Sequence, residues 1–331
     1  MKDMMFSLML NLSGNMWGDP NSRLRFSNWH ETNDLDLDVW HRIIDAMPSF
    51  GFNAVLIDVG DGIQYDSHPE VSIPGAWSKE FMKKELDHMR SIGIKPYPKL
   101  NFSGGHDAWL KQYSHMLGTE KYRQVCADLI KEVHELFGSE YFHLGMDEED
   151  PTNQRALQFQ CVRRNEVFWK DVYHLFDTCR SLGTTPWIWS DMYWHRPKEF
   201  FERMPKDVLQ CNWNYSALAG LPSKDHPELA LESGNDSSVV NNPEDARIQE
   251  RAFMDFEKAG FKQTLCCSNY SCFESSERSF EYARHFMDPE KLVGIFTAPW
   301  ALTEKRSEAR LFDAMQRFYK AKKKYYPELM K

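Results

Sequence analysis

The sequence predicts a (β/α)8 TIM barrel that takes up residues 1–331 as a single domain. Eight short β-rich runs alternate with longer helical patterns along the whole chain. Four phrases, "SFGFNAV", "SIGIKPY", "SLGTTPW" and "KAGFKQT", end a helix on Gly and re-enter extended chain within about three residues, the punctuation of a repeated βα unit. No Gly-rich nucleotide loop follows the first strand, which disfavours the doubly wound open sheet that would share this alternation.

The elements follow in order. "MMFSLMLNL" (4–12) is too short in its apolar part, and lacks the small-residue cleavage site, for a signal peptide, so it reads as strand one. "NAVLIDV" (53–59) and "IKPYPKL" (94–100) are strands two and three. A helix spans 119–137: Tyr122, Val125, Cys126, Leu129, Ile130, Val133, Leu136 and Phe137 form one stripe, Thr119 can cap its start, and Gly138 stops it. "YFHLGM" (141–146), "TPWIW" (185–189) and "DVLQCNW" (207–213) are strands four to six. A long polar loop at about 214–245 then reads as a lid or as partly disordered chain. "KQTLCC" (262–267) and "KLVGIFTA" (291–298) are strands seven and eight, and "KAKKKYYPELMK" is the solvated end of a last helix.

Composition narrows the function. A hydrophobic fraction of 42% with eleven Trp supplies a large core. The net charge of −9 argues against nucleic-acid or anionic-membrane partners, which need concentrated basic surface. No run approaches the ~20 apolar residues of a membrane span. The seven Cys are scattered with no CxxC pair, the pattern of reduced core thiols rather than disulfides or a zinc site. With no export signal, a cytoplasmic location is expected. No cofactor or metal is implied, and no signal bears on the oligomeric state.

The chemistry concentrates in "YFHLGMDEED" (141–150), where an apolar run ends in Asp147, Glu148, Glu149 and Asp150. As strand four of a barrel, it places these acids at the C-terminal mouth, where such folds hold their active sites. Other strand ends bring Asp58 and Asp61, then Asn101, His106 and Trp109, then "WIWSDMYW" with Trp189 and Asp191, "NWNY" with Trp213, "CCSNY" with Tyr270, and "TAPWALTE" with Trp300. Acids beside broad aromatic faces suit a carbohydrate partner, since rings stack on pyranose faces while carboxylates bond hydroxyls and move protons. Glu149 and Asp150, followed by Pro151, fit equally well in the first turn of a helix, where acids face the dipole. His143 points into the barrel by strand parity. Of Trp187 and Trp189, one is expected to pack outward under a helix.

"FHLGMDE" resembles the His-x-Gly-Gly-Asp-Glu motif of the family 20 glycoside hydrolases, the β-N-acetylhexosaminidases. "KLNFSGGHDAW" is similar to that family's third-strand segment, "PWIWSDM" to its Trp-Asp fifth strand, and "TAPWALTE" to its closing Trp segment. The resemblance implies retaining, substrate-assisted hydrolysis of an N-acetylhexosamine glycan, in which the sugar's acetamide oxygen attacks the anomeric carbon. Glu148 would be the general acid and base, with a raised pKa, and Asp147 would hold the acetamide N–H. Tyr270 would donate to the acetamide oxygen, Trp189, Trp213 and Trp300 would wall the pocket, and Asp61, His106, His143 and Asp191 would be polar supports.

The chain departs from the family pattern at three positions. Phe6 stands for a strand-one Arg (Arg23 and Arg25 lie in the next loop), Asn101 for an Asp, and Leu302, with Glu304 two residues on, for the Glu of Trp-x-Glu. These changes imply altered grip on outer hydroxyls and weak turnover of simple aryl glycosides. Three other functions compete: a glycosidase pairing Glu148 with Asp191 or Glu304, a sugar-binding barrel without turnover, and a metal hydrolase built on His106, His143, Asp147 and Glu149.

Overall fold

The computed structural model describes residues 4–19, 29–154, 157–215, 243–270 and 272–330. Arg23, Arg25 and most of the 214–245 loop lie outside the described residues. The eight expected strands are all present: β1 (Met5–Asn11), β2 (Ala54–Asp58), β3 (Lys95–Lys99), β4 (Tyr141–His143), β5 (Thr185–Trp189), β6 (Leu209–Trp213), β7 (Gln263–Cys267) and β8 (Leu292–Thr297). They pair in parallel in sequence order and close through β1 against β8, with Met5 opposite Gly294. The result is a (β/α)8 TIM barrel.

Around the barrel lie α1 (Leu37–Ala46), α2 (Lys79–Ser91), α3 (Glu120–Phe137), α4 (Asn165–Ser181), α5 (Met192–His195), α6 (Pro197–Arg203), α7 (Pro243–Lys258), α8 (Ser275–Phe286) and α9 (Glu308–Tyr325). The α3 helix starts where its cap predicts: the Thr119 hydroxyl accepts the Tyr122 N–H at 3.2 Å, and Gly138 closes the helix at φ +56°. Gly51, Gly93, Gly183 and Gly260, the glycines of the four repeated phrases, all take φ between +75° and +85°, where a Cβ is strained. No helix among the described residues is long and apolar enough to cross a membrane. All seven cysteines are free thiols.

Strand parity sorts the core into two layers. Met5, Met9, Leu56, Tyr97, Trp187, Trp189, Cys211, Trp213, Cys266 and Phe296 fill the barrel interior, while Phe6, Leu8, Leu10, Val55, Ile57, Ile188 and Ile295 face the helices. This corrects two expectations. Trp187 and Trp189 are two residues apart, so they share a face, and both are inside; Ile188 packs outward. Phe6 faces the helices, its ring 6.1 Å from Phe280 of α8 and 3.9 Å from Lys322 Nζ of α9, so it does not occupy a sugar-gripping position. Lys322 is itself buried and donates to the Gly51 carbonyl at 2.6 Å, so the basic end of α9 is only partly solvated. A third correction concerns Glu149 and Asp150. They begin no helix: the next one starts at Asn165.

Candidate active site

The chain leaves β4 through an unusual turn. Gly145, Met146 and Glu148 take φ of +71°, +74° and +58°, so three of four consecutive residues are left-handed. Such backbone persists only where its surroundings hold it. The Gly145 N–H donates to His143 Nδ1 at 3.0 Å, and the Gly145 carbonyl accepts from Trp189 N–H at 2.9 Å. A Cβ on Gly145 would fall 1.9 Å from Asn101 Oδ1. Asn101 fills that space, and its Oδ1 accepts the Ser103 and Met146 N–H groups at 3.1 and 3.3 Å. On the far side, the Glu148 N–H donates to Asp191 Oδ2 at 2.8 Å.

Asp147 is thereby turned into the barrel. Asn101 Nδ2 donates to its Oδ1 at 2.8 Å, and His106 Nε2 lies 3.3 Å from its Oδ2 and 3.0 Å from Glu148 Oε2. Burial alone would push the Asp147 carboxyl up. The His106 charge and hydrogen bond, with Lys99 and Asn101 behind them, outweigh it and hold the group down at about 2. Burial works against a charged His106, yet Asp147 and Glu148 raise its pKa well above the usual value. Below this layer Lys99 is fully buried and pairs with Asp58 across the β2–β3 register. Glu148 keeps 35% of its side chain exposed, the open position a group needs to reach a substrate atom.

The other expected residues fall into two sets. Trp189, Trp213 and Trp300 do come together: Trp189 meets Trp213 edge-on at 5.3 Å and Trp300 at 6.0 Å. Three further aromatics extend this box: two at the ends of the "WIWSDMYW" and "NWNY" segments, and Trp17, which sequence reasoning missed. Trp194 lies 4.5 Å from Trp213, Tyr215 stacks on Trp213 at 6.3 Å, and Trp17 meets Trp300 at 6.1 Å. Trp189 is buried, and its Nε1 has no hydrogen-bond partner among the described residues. Asp191 is buried too; burial, then the charge of Asp147, pushes its carboxyl well up from the usual carboxylate range.

His143, Asp61 and Tyr270 are held by other groups. His143 lies between Trp187 and Trp189 at 4.7 and 4.9 Å, fully buried, and burial with the nearby Lys99 charge keeps it neutral. Asp61 is buried and accepts from Asn15 Nδ2 at 2.9 Å, bracing the loop after β1. Tyr270 is 41% exposed with its ring 5.0 Å from the Arg310 guanidinium of α9.

Asn101 requires a further correction. It is not an outer-hydroxyl position but a buried support bonded to Asp147. Its place on the inner face, two residues beyond Lys99 and four beyond Tyr97, was readable from strand parity. Leu302 packs on Gly14, 2.8 Å from where a Cβ there would sit, and Glu304 pairs with Arg306. The metal set His106, His143, Asp147 and Glu149 is not assembled, because Glu149 is bound to Arg163 and His143 lies beneath the pocket. Among the described residues, the atoms able to share a cation are those of His106, Asp147 and Glu148, within 4.8 Å of one another.

No protein-family model matches the chain, and no curated protein matches it. Solved structures share its fold. A GH20 exo-β-N-acetylglucosaminidase from Vibrio harveyi aligns at TM-score 0.59 and 14% identity over 99% of this chain and 57% of that one. A β-N-acetylhexosaminidase from Bacteroides fragilis aligns at 0.59 and 16% over 98% and 71%. A chitobiase from Flavobacterium johnsoniae aligns at 0.62 and 16% over 98% and 51%. At such identities the likeness establishes the shared barrel, and the chain spans a little over half the length of the Vibrio enzyme.

Proposed function

We propose that the protein is a glycosidase that cleaves N-acetylhexosaminides with retention, using the substrate's own acetamide as nucleophile. One observation supports this above the rest: a buried, anionic Asp147 stands directly beside a partly open Glu148 at the rim of an aromatic box. A carboxylate locked in its charged form, with one oxygen held by Asn101, is suited to bind and polarise an amide N–H. It is poorly suited to give up a proton. Glu148, one residue on and open to solvent, is suited to proton transfer. The likeness to solved hexosaminidases points the same way.

In this reading the acetamide oxygen attacks the anomeric carbon as Glu148 gives its proton to the leaving oxygen. Asp147 accepts the acetamide N–H and balances the charge of the oxazolinium-like intermediate. Glu148 then takes a proton from water, which attacks the same carbon and restores the acetamide. His106 Nε2 reaches both acids, so its proton can favour Asp147 while Glu148 is protonated and turn to Glu148 once that proton has left. Trp189, Trp213 and Trp300 supply the apolar walls.

The test is a panel of aryl glycosides with and without a 2-acetamido group, together with an oxazoline-mimicking thiazoline. Cleavage confined to the 2-acetamido sugars, inhibition by the thiazoline, and weaker inhibition of Asp147→Asn are expected. Faster cleavage of a matching 2-hydroxy glycoside, or an active enzyme indifferent to the thiazoline, would overturn the reading. Thiazoline binding without turnover of any glycoside would favour a sugar-binding barrel.

A further inference from the structure

The acidic run contains a carboxylate that the proposed chemistry does not use. Glu149 is buried, and its Oε1 accepts the Gly104 N–H at 2.8 Å and Arg163 Nε at 3.1 Å. Arg163 Nη2 joins the same oxygen, and the Arg163 backbone N–H reaches Oε2 at 3.3 Å. Arg163 is itself fully buried. Its remaining donors go to the Phe102 carbonyl at 2.7 Å and to Asp171 Oδ2 of α4 at 3.2 Å. Asp171 is held in turn by Arg123 of α3 at 2.9 Å and by the Gly118 N–H at 2.9 Å.

These contacts join the two loops that carry the site. Glu149 directly follows Glu148. Phe102 and Gly104 belong to the loop after β3, which also carries His106. The loops touch face to face as well: a Cβ on Gly105 would lie 3.0 Å from the Glu148 carbonyl oxygen, and one on Gly104 would lie 2.8 Å from the Cys161 carbonyl oxygen. One planar guanidinium thus spans both loops and the start of α4, geometry that a point-charge ammonium cannot reproduce.

We propose that the Arg163–Glu149 pair is the positioning element of the site, setting the spacing between His106 and Glu148 by binding both loops at once. Neither residue touches the reacting atoms; both act through the two that do. The pair also accounts for a third acid after Asp147 and Glu148. The left-handed Glu148 is held by Asp191 from one side, and Glu149 anchors the chain immediately beyond it.

The proposal rests on Glu148 as the acid, so one readout is independent of turnover. In Glu149→Gln, which keeps the volume and an acceptor for Gly104, kcat is expected to fall about 10- to 100-fold with KM nearly unchanged, as for a misplaced catalytic group. The same variant should lower the NMR titration midpoint of the His106 imidazole, because Glu148 withdraws from it. Arg163→Lys should show the same changes, with melting curves defining the folded fraction. A merely structural role predicts a lower melting temperature with kcat per folded molecule and the His106 titration both unchanged, and that result would overturn the proposal. A Glu149→Gln chain that does not fold would also count against it, since the pair would then serve folding first. If the wild type cleaves no glycoside, the proposed activity fails while the His106 titration still decides the positioning role.

Discussion

Gly145→Ala is the most direct probe of how the backbone builds this site. The substitution adds one methyl group, yet the structure gives it two separate costs. At φ +71° an L side chain strains against its own carbonyl, a cost of roughly 1–2 kcal/mol. The new Cβ would also sit on Asn101 Oδ1, displacing a carboxamide that makes three hydrogen bonds. The bond to the charged Asp147 is worth about 1.5–3 kcal/mol, and the two to backbone N–H groups about 0.5–1.5 kcal/mol each. The expected destabilisation is therefore between about 3.5 and 8 kcal/mol, measured by urea unfolding at pH 6. Turnover should fall as well, because Asp147 loses its Asn101 contact. A double-mutant cycle with Asn101→Ala separates the costs. In the Asn101→Ala background the carboxamide is already gone, and Gly145→Ala should add little beyond backbone strain. A loss under about 2 kcal/mol in the wild-type background, or the same loss in both backgrounds, would refute the clash with Asn101 as the cause.

Three further outcomes are expected. Glu148→Gln should stay folded, since the side chain is a third exposed, and lose roughly 10²–10⁴-fold in kcat on sugar leaving groups, less on activated aryl groups; near-native rates on a sugar-linked substrate would remove Glu148 from the acid role. His106→Gln should destabilise the fold most at mildly acidic pH. Asp147, held near 2 against 3.8 unfolded, contributes fully above 3.8 and loses its contribution as pH falls through 2, while His106, raised above 6.5, contributes fully below 6.5 and loses it as pH climbs toward its folded value. The gap between wild type and variant should thus be widest between pH 3.8 and 6.5, and a gap growing above pH 8 would contradict the pairing. Treatment with a chelator should leave turnover unchanged; loss restored by a divalent ion would move the reaction onto a metal held by His106, Asp147 and Glu148.

Much of the barrel could be read from the chain because its information is local. Each strand is a short apolar run, and α3 shows its stripe, cap and stop within twenty residues. The acid pair was legible for the same reason, as two residues at the end of one run. What stayed hidden depends on partners far apart in sequence. Asn101 reads as a departure from a motif until it is seen 46 residues from Asp147 and bonded to it. Glu149, two residues before Pro151, looks like part of a helix start, because nothing nearby announces that Arg163 will claim it. Trp187 is a different failure, since a period of two assigns it the face of Trp189 without any structure. Tyr215 and Trp17 join the aromatic box from loops, where no period operates.

The closure of β1 on β8 has a consequence for biosynthesis. Phe6 and its neighbours emerge from the ribosome long before β8, their second partner strand, which ends at Thr297. At 5–20 residues per second, roughly 15–60 s separate the two, and until then the nascent sheet has two unpaired edges rich in apolar side chains. The β1 edge carries Met5, Leu8, Met9 and Leu10, with no charged residue to discourage pairing with another chain. Messages cut or stalled between β7 and β8 would therefore yield chains with seven of the eight strands, unable to seal the barrel and prone to join edge to edge with one another.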